Sequence, residues 1–303
     1  MIKMKNNIIA FVAILFLSIG VNAQIDRSKQ PEAGPAPKIN IEEPESFTLD
    51  NGLKVMVVEN HKLPRVTMSL RLDNPPVFED KKAGVSSLTG QLLGTGTQKM
   101  SKDDFNERVD FLGARLNFYS RGANANTLSK YFPEVLKLMA DGAINPKFTE
   151  EEFTKVKDRE IESLKSNEKD VAYNARRVRS ALAYGKNHPY GEFATETTVG
   201  SLTMADAKSF YETYFTPKNA YLVIVGDVKY DEVKKLVKEN FSSWKKSSLP
   251  AYTLPEVTNL DRTEIQFIDM PHAVQSEIAL VNTINLKQKD KDYFPVLVAN
   301  KIL

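Results

Sequence analysis

The chain has 303 residues, more than one hydrophobic core usually organises, so more than one domain is expected. Hydrophobic residues make up 42% and charged residues 26%, as in ordinary soluble globular proteins. A formal net charge of +2 without any basic block argues against a nucleic-acid partner. The chain has no cysteine, which excludes a disulfide framework and a lipidated cysteine near the N-terminus.

Lys3 and Lys5 precede an apolar run from Ile8 to Ile19, and Val21-Asn22-Ala23 has compact residues at the positions a signal peptidase reads. Residues 1–23 are therefore expected to be an export signal. The run is about a dozen residues, short of the roughly 20 that cross a bilayer. No membrane span is expected after cleavage, and the mature chain is expected to be exported, soluble and periplasmic. Residues 24–45 carry Pro31, Pro35, Pro37 and Pro44 among polar residues and read as a flexible lead-in.

The first ordered signal is a hairpin. Phe47-Thr48-Leu49 and Leu53 to Glu59 flank Asp50-Asn51-Gly52, a turn that tolerates positive φ. A strand follows at Val66 to Leu72, alternating Val66, Met68, Leu70 and Leu72. After Asn74-Pro75-Pro76, Ala83 to Leu93 reads as a helix. Ser101, with Asp104 three residues on, predicts the N-cap of a helix running to Leu112.

Arg115 to Ser120 and Ala123 to Leu128 read as a strand pair. Amphipathic helices are predicted over Phe132 to Ile144, Glu150 to Lys165 and Ala172 to Tyr184. His188-Pro189-Tyr190-Gly191 forms a turn, Ala220 to Val225 a strand ending in Gly226-Asp227-Val228, and Tyr230 to Phe241 a helix. Strands and helices mix without strict alternation, which favours an α+β fold over a doubly wound sheet.

The expected organisation is a first domain over 46–244, a prolyl and polar linker over 245–262, and the start of a second domain over 263–303, truncated at Leu303. That last piece carries strand signals at Glu264 to Ile268 and Glu277 to Val281, then a helix from about Asp292.

These elements resemble the pitrilysin or insulinase family of inverted zincins. The resemblance rests on F-x-L-x-N-G-L-x-V, on G-V-x-x-L-x-x-x-L-x-x-G-T and on H-P-Y-G. It rests equally on L-T-x-x-D-x-x-x-F-Y, Y-F-x-P-x-N and V-G-D, all six in family order over about Phe47 to Val228. It implies an insulinase or mitochondrial-processing-peptidase-like domain, a mixed antiparallel sheet with helices packed on it, followed by a similar second domain.

In catalytic members H-x-x-E-H places two histidines on one helix face, with a glutamate to polarise the zinc-bound water. The matching positions here are Ser87, Gly90 and Gln91. A third ligand, a glutamate from the helix after N-P-x-F-x-x-E-E, falls at Ser163; Glu162 could replace it only by a slip of about 100° around the helix. All four positions are replaced, so no catalytic residue and no metal ligand is expected. No cofactor is expected in this chain, and zinc is expected in a catalytic partner.

The family's substrate-binding edge corresponds to Arg115 to Ser120. Asn117, Phe118 and Tyr119 are therefore the peptide-binding candidates, although Phe118-Tyr119 departs from the family's usual Asn-Ala pattern.

Other motifs have plainer readings. None of His61, His188 and His272 lies three or four residues from another. His188 belongs to the structural H-P-Y-G turn and the other two to loops. Glu150, Glu151 and Glu152 suit a helix N-terminus. Arg176, Arg177 and Arg179 read as a solvated helix face. Gly94 to Thr97 lacks the Lys-Ser/Thr of a phosphate loop.

The resemblance implies a non-catalytic subunit or half of an exported zinc-metallopeptidase-like assembly. It would bind peptides or unfolded polypeptide and complete the chamber of a catalytic homologue as a heterodimer. Two alternatives stand beside it: an active zinc endopeptidase with its metal site outside this segment, and a purely structural or assembly protein of the same fold.

Overall fold

A computed structural model describes residues 34–35, 43–271 and 273–302. The expected signal peptide, most of the lead-in and His272 lie outside the described residues. The fold below is that of the unit from Pro44 onward.

Six strands form one sheet: β1 (Glu45–Thr48), β2 (Lys54–Glu59), β3 (Arg65–Leu72), β4 (Arg115–Tyr119), β5 (Gly122–Leu128) and β6 (Ala220–Gly226). Their order is β1-β2-β6-β3-β5-β4, so β1 and β4 are the edges. β2 pairs with β6 in parallel, Val57 opposite Ile224, and every other pairing is antiparallel. The sheet is therefore mixed, and the fold is α+β as expected. β1 begins at Glu45, one residue inside the expected lead-in.

Alternation decides which face is covered. In β3, Val66, Met68, Leu70 and Leu72 are buried, while Arg65, Thr67 and Arg71 are exposed. Each fully buried side chain of this size contributes about 1.5–3 kcal/mol. The covered face meets α3 (Phe132–Ile144) over β4 and β5, and α8 (Tyr230–Phe241) over β2. The opposite face lies open, since one side of an antiparallel sheet can remain solvated.

Against the β4 end stand α1 (Val85–Leu92) and α2 (Lys102–Phe111). Ser101 caps α2 as predicted: its Oγ accepts from Asp104 N at 3.1 Å. A second apolar layer joins α1 to α4 (Glu150–Asn167), through Val85, Leu88 and Leu92 against Phe153 and Val156. Four further helices complete the unit: α5 (Val171–Tyr184), α6 (Glu196–Ser201), α7 (Met204–Tyr214) and α9 (Tyr293–Ile302).

Helix α6 carries no hydrophobic stripe and was not anticipated. A capping box makes it, with Thr195 and Thr198 each satisfying the other's backbone N–H. The strand signals at 264–268 and 277–281 are corrected. Both stretches lie without regular secondary structure, and Ile265, Phe267, Ile278 and Leu280 are almost fully exposed. Alternation alone does not make a strand, because stability comes from a neighbouring strand and a buried face. The helix expected near Asp292 is present as α9, with every described residue outside the core.

Candidate functional site

Three segments converge where the resemblance places the zinc site. Helix α1 carries Ser87, Gly90 and Gln91, α4 carries Ser163, and the β4–β5 turn closes over Gly90. The sequence gives α1 no side-chain cap of its own, since Gly84 is the N-cap at φ 106°. The Glu79 carboxylate takes that role, accepting from Gly84 N at 2.7 Å and Ser86 N at 3.3 Å. A Cβ at position 84 would also stand 2.9 Å from Val199 Cγ2, so glycine is required twice over.

The Glu79 segment is itself held. Glu192 accepts from Glu79 N at 2.9 Å and Asp80 N at 3.0 Å, and burial pushes its carboxyl above the usual range. Glu192 is the residue after H-P-Y-G. His188, 2% exposed, stacks on Tyr184, accepts from Tyr190 N through Nδ1, and gives its carbonyl to Glu192 N. The motif thus orients the carboxylate that supports the start of α1, and the structural reading of His188 stands.

Gly90 faces the end of β4. A Cβ built there would lie 2.3 Å from Ser120 N and 2.9 Å from Tyr119 C, both backbone atoms. The helix approaches this turn more closely than any side-chain-bearing residue permits. The position matching the catalytic base is therefore filled by the polypeptide chain itself.

Gln91 is half-buried, and its Nε2 donates to Glu160 Oε2 at 2.7 Å and meets Ser87 Oγ only at 3.4 Å. Arg159 Nη2 reaches Gln91 Oε1 at 3.4 Å. Ser163 is exposed and meets only Asn167, at 3.4 Å. The fold brings Ser87 and Gln91 together and leaves Ser163 apart.

The contact from α4 comes one turn earlier, from Glu160, which was not singled out from the sequence. Its spacing of three from Ser163, on one helix face, was the available signal. Two hydroxyls and an amide with one carboxylate, itself engaged by the amide, do not fit zinc, which takes imidazole, thiolate or several carboxylates. Among the described residues no cluster of three His, Cys, Asp or Glu could hold a metal ion.

The peptide-binding candidates divide. Phe118 turns inward: its ring is 6.3 Å from that of Phe105 and lies against Gly94 and Gly142, where an added Cβ would sit 2.7 and 2.4 Å away. Asn117 and Tyr119 lie on the open face, Asn117 exposed and Tyr119 half-buried. Phe118 is thus a packing residue of the covered face.

The remaining motifs are placed plainly. Thr149 caps α4, whose first turn holds Glu150, Glu151 and Glu152; Glu152 pairs with Lys102 at 2.6 Å. Arg176 and Arg179 are exposed, whereas Arg177 lays its guanidinium 4.2 Å from the Phe193 ring centroid. The solvated-face reading is corrected for Arg177.

His61 bonds Asp227 at 2.7 Å and Glu59 at 3.2 Å, and these contacts raise its pKa. A raised histidine pKa stabilises the fold below the unfolded-state value, and that contribution is lost as pH rises through the folded value. NMR titration should find His61 above the ordinary value of about 6.5, with Asp227→Asn bringing it down. An unshifted His61 would mean that the Asp227 contact does not persist in solution.

The family model described as Insulinase (Peptidase family M16) matches residues 54–189, and the one described as Peptidase M16 inactive domain matches 201–303. The chain belongs to the M16, or insulinase, peptidase family. It is 26% identical over 226 residues to mitochondrial-processing peptidase subunit beta of Rattus norvegicus, covering 71% of this chain and 45% of that protein. It is 23% identical over 211 residues to cytochrome b-c1 complex subunit 1 of Bos taurus, covering 67% and 43%. The chain spans just under half the length of these curated relatives.

Two solved structures share the fold. A protease from Helicobacter pylori has TM-score 0.63 and 24% identity, covering 71% of this chain and 54% of that one. The first half of the periplasmic protease PqqL from Escherichia coli has TM-score 0.60 and 18% identity, covering 71% and 49%. Within this M16 chain, the H-x-x-E-H frame reads Ser87, Gly90 and Gln91.

Proposed function

We propose that this M16 chain is the non-catalytic half of an exported peptidase-like assembly, which completes the chamber of a zinc-bearing homologue and holds peptide or unfolded polypeptide there. The observation that carries the reading is the contact of Gly90 with Ser120. A catalytic centre needs an open position where water and substrate meet a metal. Here backbone fills the space that the base's side chain would need, and the ligand positions are hydroxyls and an amide.

Peptide would instead meet edge strand β4, where an extended segment can add by backbone hydrogen bonds. Asn117 and Tyr119 flank that edge on the open face. Export to a periplasm is part of the proposal and rests on the expected leader over 1–23. A second reading, a structural member of a larger complex, is favoured by the likeness to a cytochrome b-c1 subunit. The third, a peptidase with its metal site outside this segment, draws on the likeness to longer chains named peptidase and protease.

The test is co-purification with an intact H-x-x-E-H homologue. The complex should cleave peptides that this chain alone leaves intact, and Tyr119→Ala in the folded complex should weaken peptide binding about tenfold. A complex whose peptide affinity ignores both Tyr119 and the presence of this chain would favour the structural reading. Turnover by the chain alone would refute the proposal.

A further inference from the structure

The open face of the sheet has a composition of its own. Lys54 on β2, Arg65 and Arg71 on β3, and Arg115 on β4 all rise from it and are exposed. The register aligns Lys54, Tyr221 and Arg71 in one row across β2, β6 and β3, and sets Arg115 opposite Asn126 at the far edge. Between them stand neutral amides and hydroxyls on β3 to β5, with Asn117 opposite Asn124, Asn124 opposite Ser69 and Asn126 opposite Thr67, and apolar Met56, Val58, Val223 and Val225 on β2 and β6. No aspartate or glutamate occupies this face of β2 to β6. Two aspartates stand just beyond its strands: exposed Asp73, two residues past Arg71, and Asp227 after β6, held by His61 at 2.7 Å.

Among the described residues, none of the four cations makes an ion pair; Lys54 only lies over the Tyr221 ring at 5.2 Å. The chain as a whole is nearly balanced, at +2. A one-signed, unpaired face on a balanced protein is a local feature that selects its partner by charge.

We infer that this face receives an acidic extended polypeptide. Strand spacing puts Lys54 and Arg71 roughly 10 Å apart, the span of about three residues of an extended chain. Carboxylates spaced in that way would meet successive cations, while Asn117, Asn124 and Asn126 offer amide donors and acceptors to the peptide backbone between them. A basic segment would find no counter-charge here.

The inference rests on the reading of this chain as a polypeptide-binding half and adds the chemical class of what it binds. The experiment is fluorescence anisotropy with the full chain and two labelled 14-residue peptides, one repeating Glu-Ser-Gly and the other Lys-Ser-Gly. The acidic peptide should bind at low salt, weaken steeply as salt rises, and lose about tenfold in affinity in the double variant Arg71→Gln, Arg115→Gln. Both substitutions are exposed, and an unchanged thermal midpoint would exclude misfolding.

Equal binding of the two peptides would overturn the charge preference and leave the peptide-binding reading intact. Binding of neither would overturn both. Acidic binding unchanged by the double variant would move the site off this face, against the inference. Equally tight capture of a single-stranded oligonucleotide of the same charge would mark an unselective polyanion surface, which also contradicts it.

Discussion

Gly90→Ala is expected to destabilise the protein, although alanine is the better helix former by up to about 1 kcal/mol. The new methyl would stand 2.3 Å from Ser120 N and 3.0 Å from Ser120 Cα, and backbone atoms cannot swing aside as the end of a flexible side chain can. Overpacking of this kind costs about 1–3 kcal/mol, so the propensity gain is offset or exceeded. Thermal unfolding should show a lower midpoint, whereas Ser87→Ala, exposed on the same helix, should stay within about 0.5 kcal/mol of the parent.

Gly90→Glu should be worse, because its longer side chain must leave through the same contact. Installing Ser87→His, Gly90→Glu, Gln91→His and Ser163→Glu together therefore begins from a steric defect. Spacing alone would suggest recovered zinc affinity, but the closed turn predicts destabilisation without a site. A neutral or stabilising Gly90→Ala would show that the turn yields easily and that the cleft can open.

Asn51→Ala is expected to cost about 2–4 kcal/mol, far more than a turn residue usually does. Asn51 is 7% exposed, and its Nδ2 donates to Phe241 O at 2.7 Å and Trp244 O at 3.3 Å while Oδ1 accepts from Leu53 N. This one amide ties the first hairpin to the end of α8, some 190 residues along the chain. Alanine would strand the Trp244 carbonyl and the Leu53 N–H in a buried place and leave Phe241 O with Trp244 N alone, at 3.1 Å. The urea midpoint should fall with an unchanged slope, which separates lost stability from a changed unfolded state. A loss below about 0.5 kcal/mol would mean that water replaces these bonds.

Asn51 also marks how far the sequence could be read. The hairpin was legible because its signal is local: two alternating runs around a turn with Gly52 at φ 94°. So was the start of α2, where Ser101 and Asp104 lie within one turn. The reason for asparagine rather than aspartate at the turn was not legible, because its partners Phe241 and Trp244 are distant in sequence.

The candidate site divides in the same way. The replacement of the family's H-x-x-E-H side chains and third ligand was readable at Ser87, Gly90, Gln91 and Ser163, since side-chain identity is written in the sequence. What the fold packs around those positions was not. In the sequence Gly90 reads as a mere loss of the base, whereas in the fold Ser120 lies against it, and Gln91 meets Glu160 across 69 residues. Alternation at Glu264 to Ile268 misled because a strand's partner is never written in the strand itself.

The central claim, a metal site lost and closed over, is tested most directly by zinc content. The purified chain is equilibrated with zinc and desalted, and its metal is then measured against protein concentration. Ser87, Gln91 and Ser163 predict less than about 0.1 zinc per chain, since no ligand set of the structural or catalytic kind is present among the described residues. Retention of about one zinc per chain, lost when Glu160 is changed to Gln, would contradict the account and place a working metal site where the structure puts a closed turn.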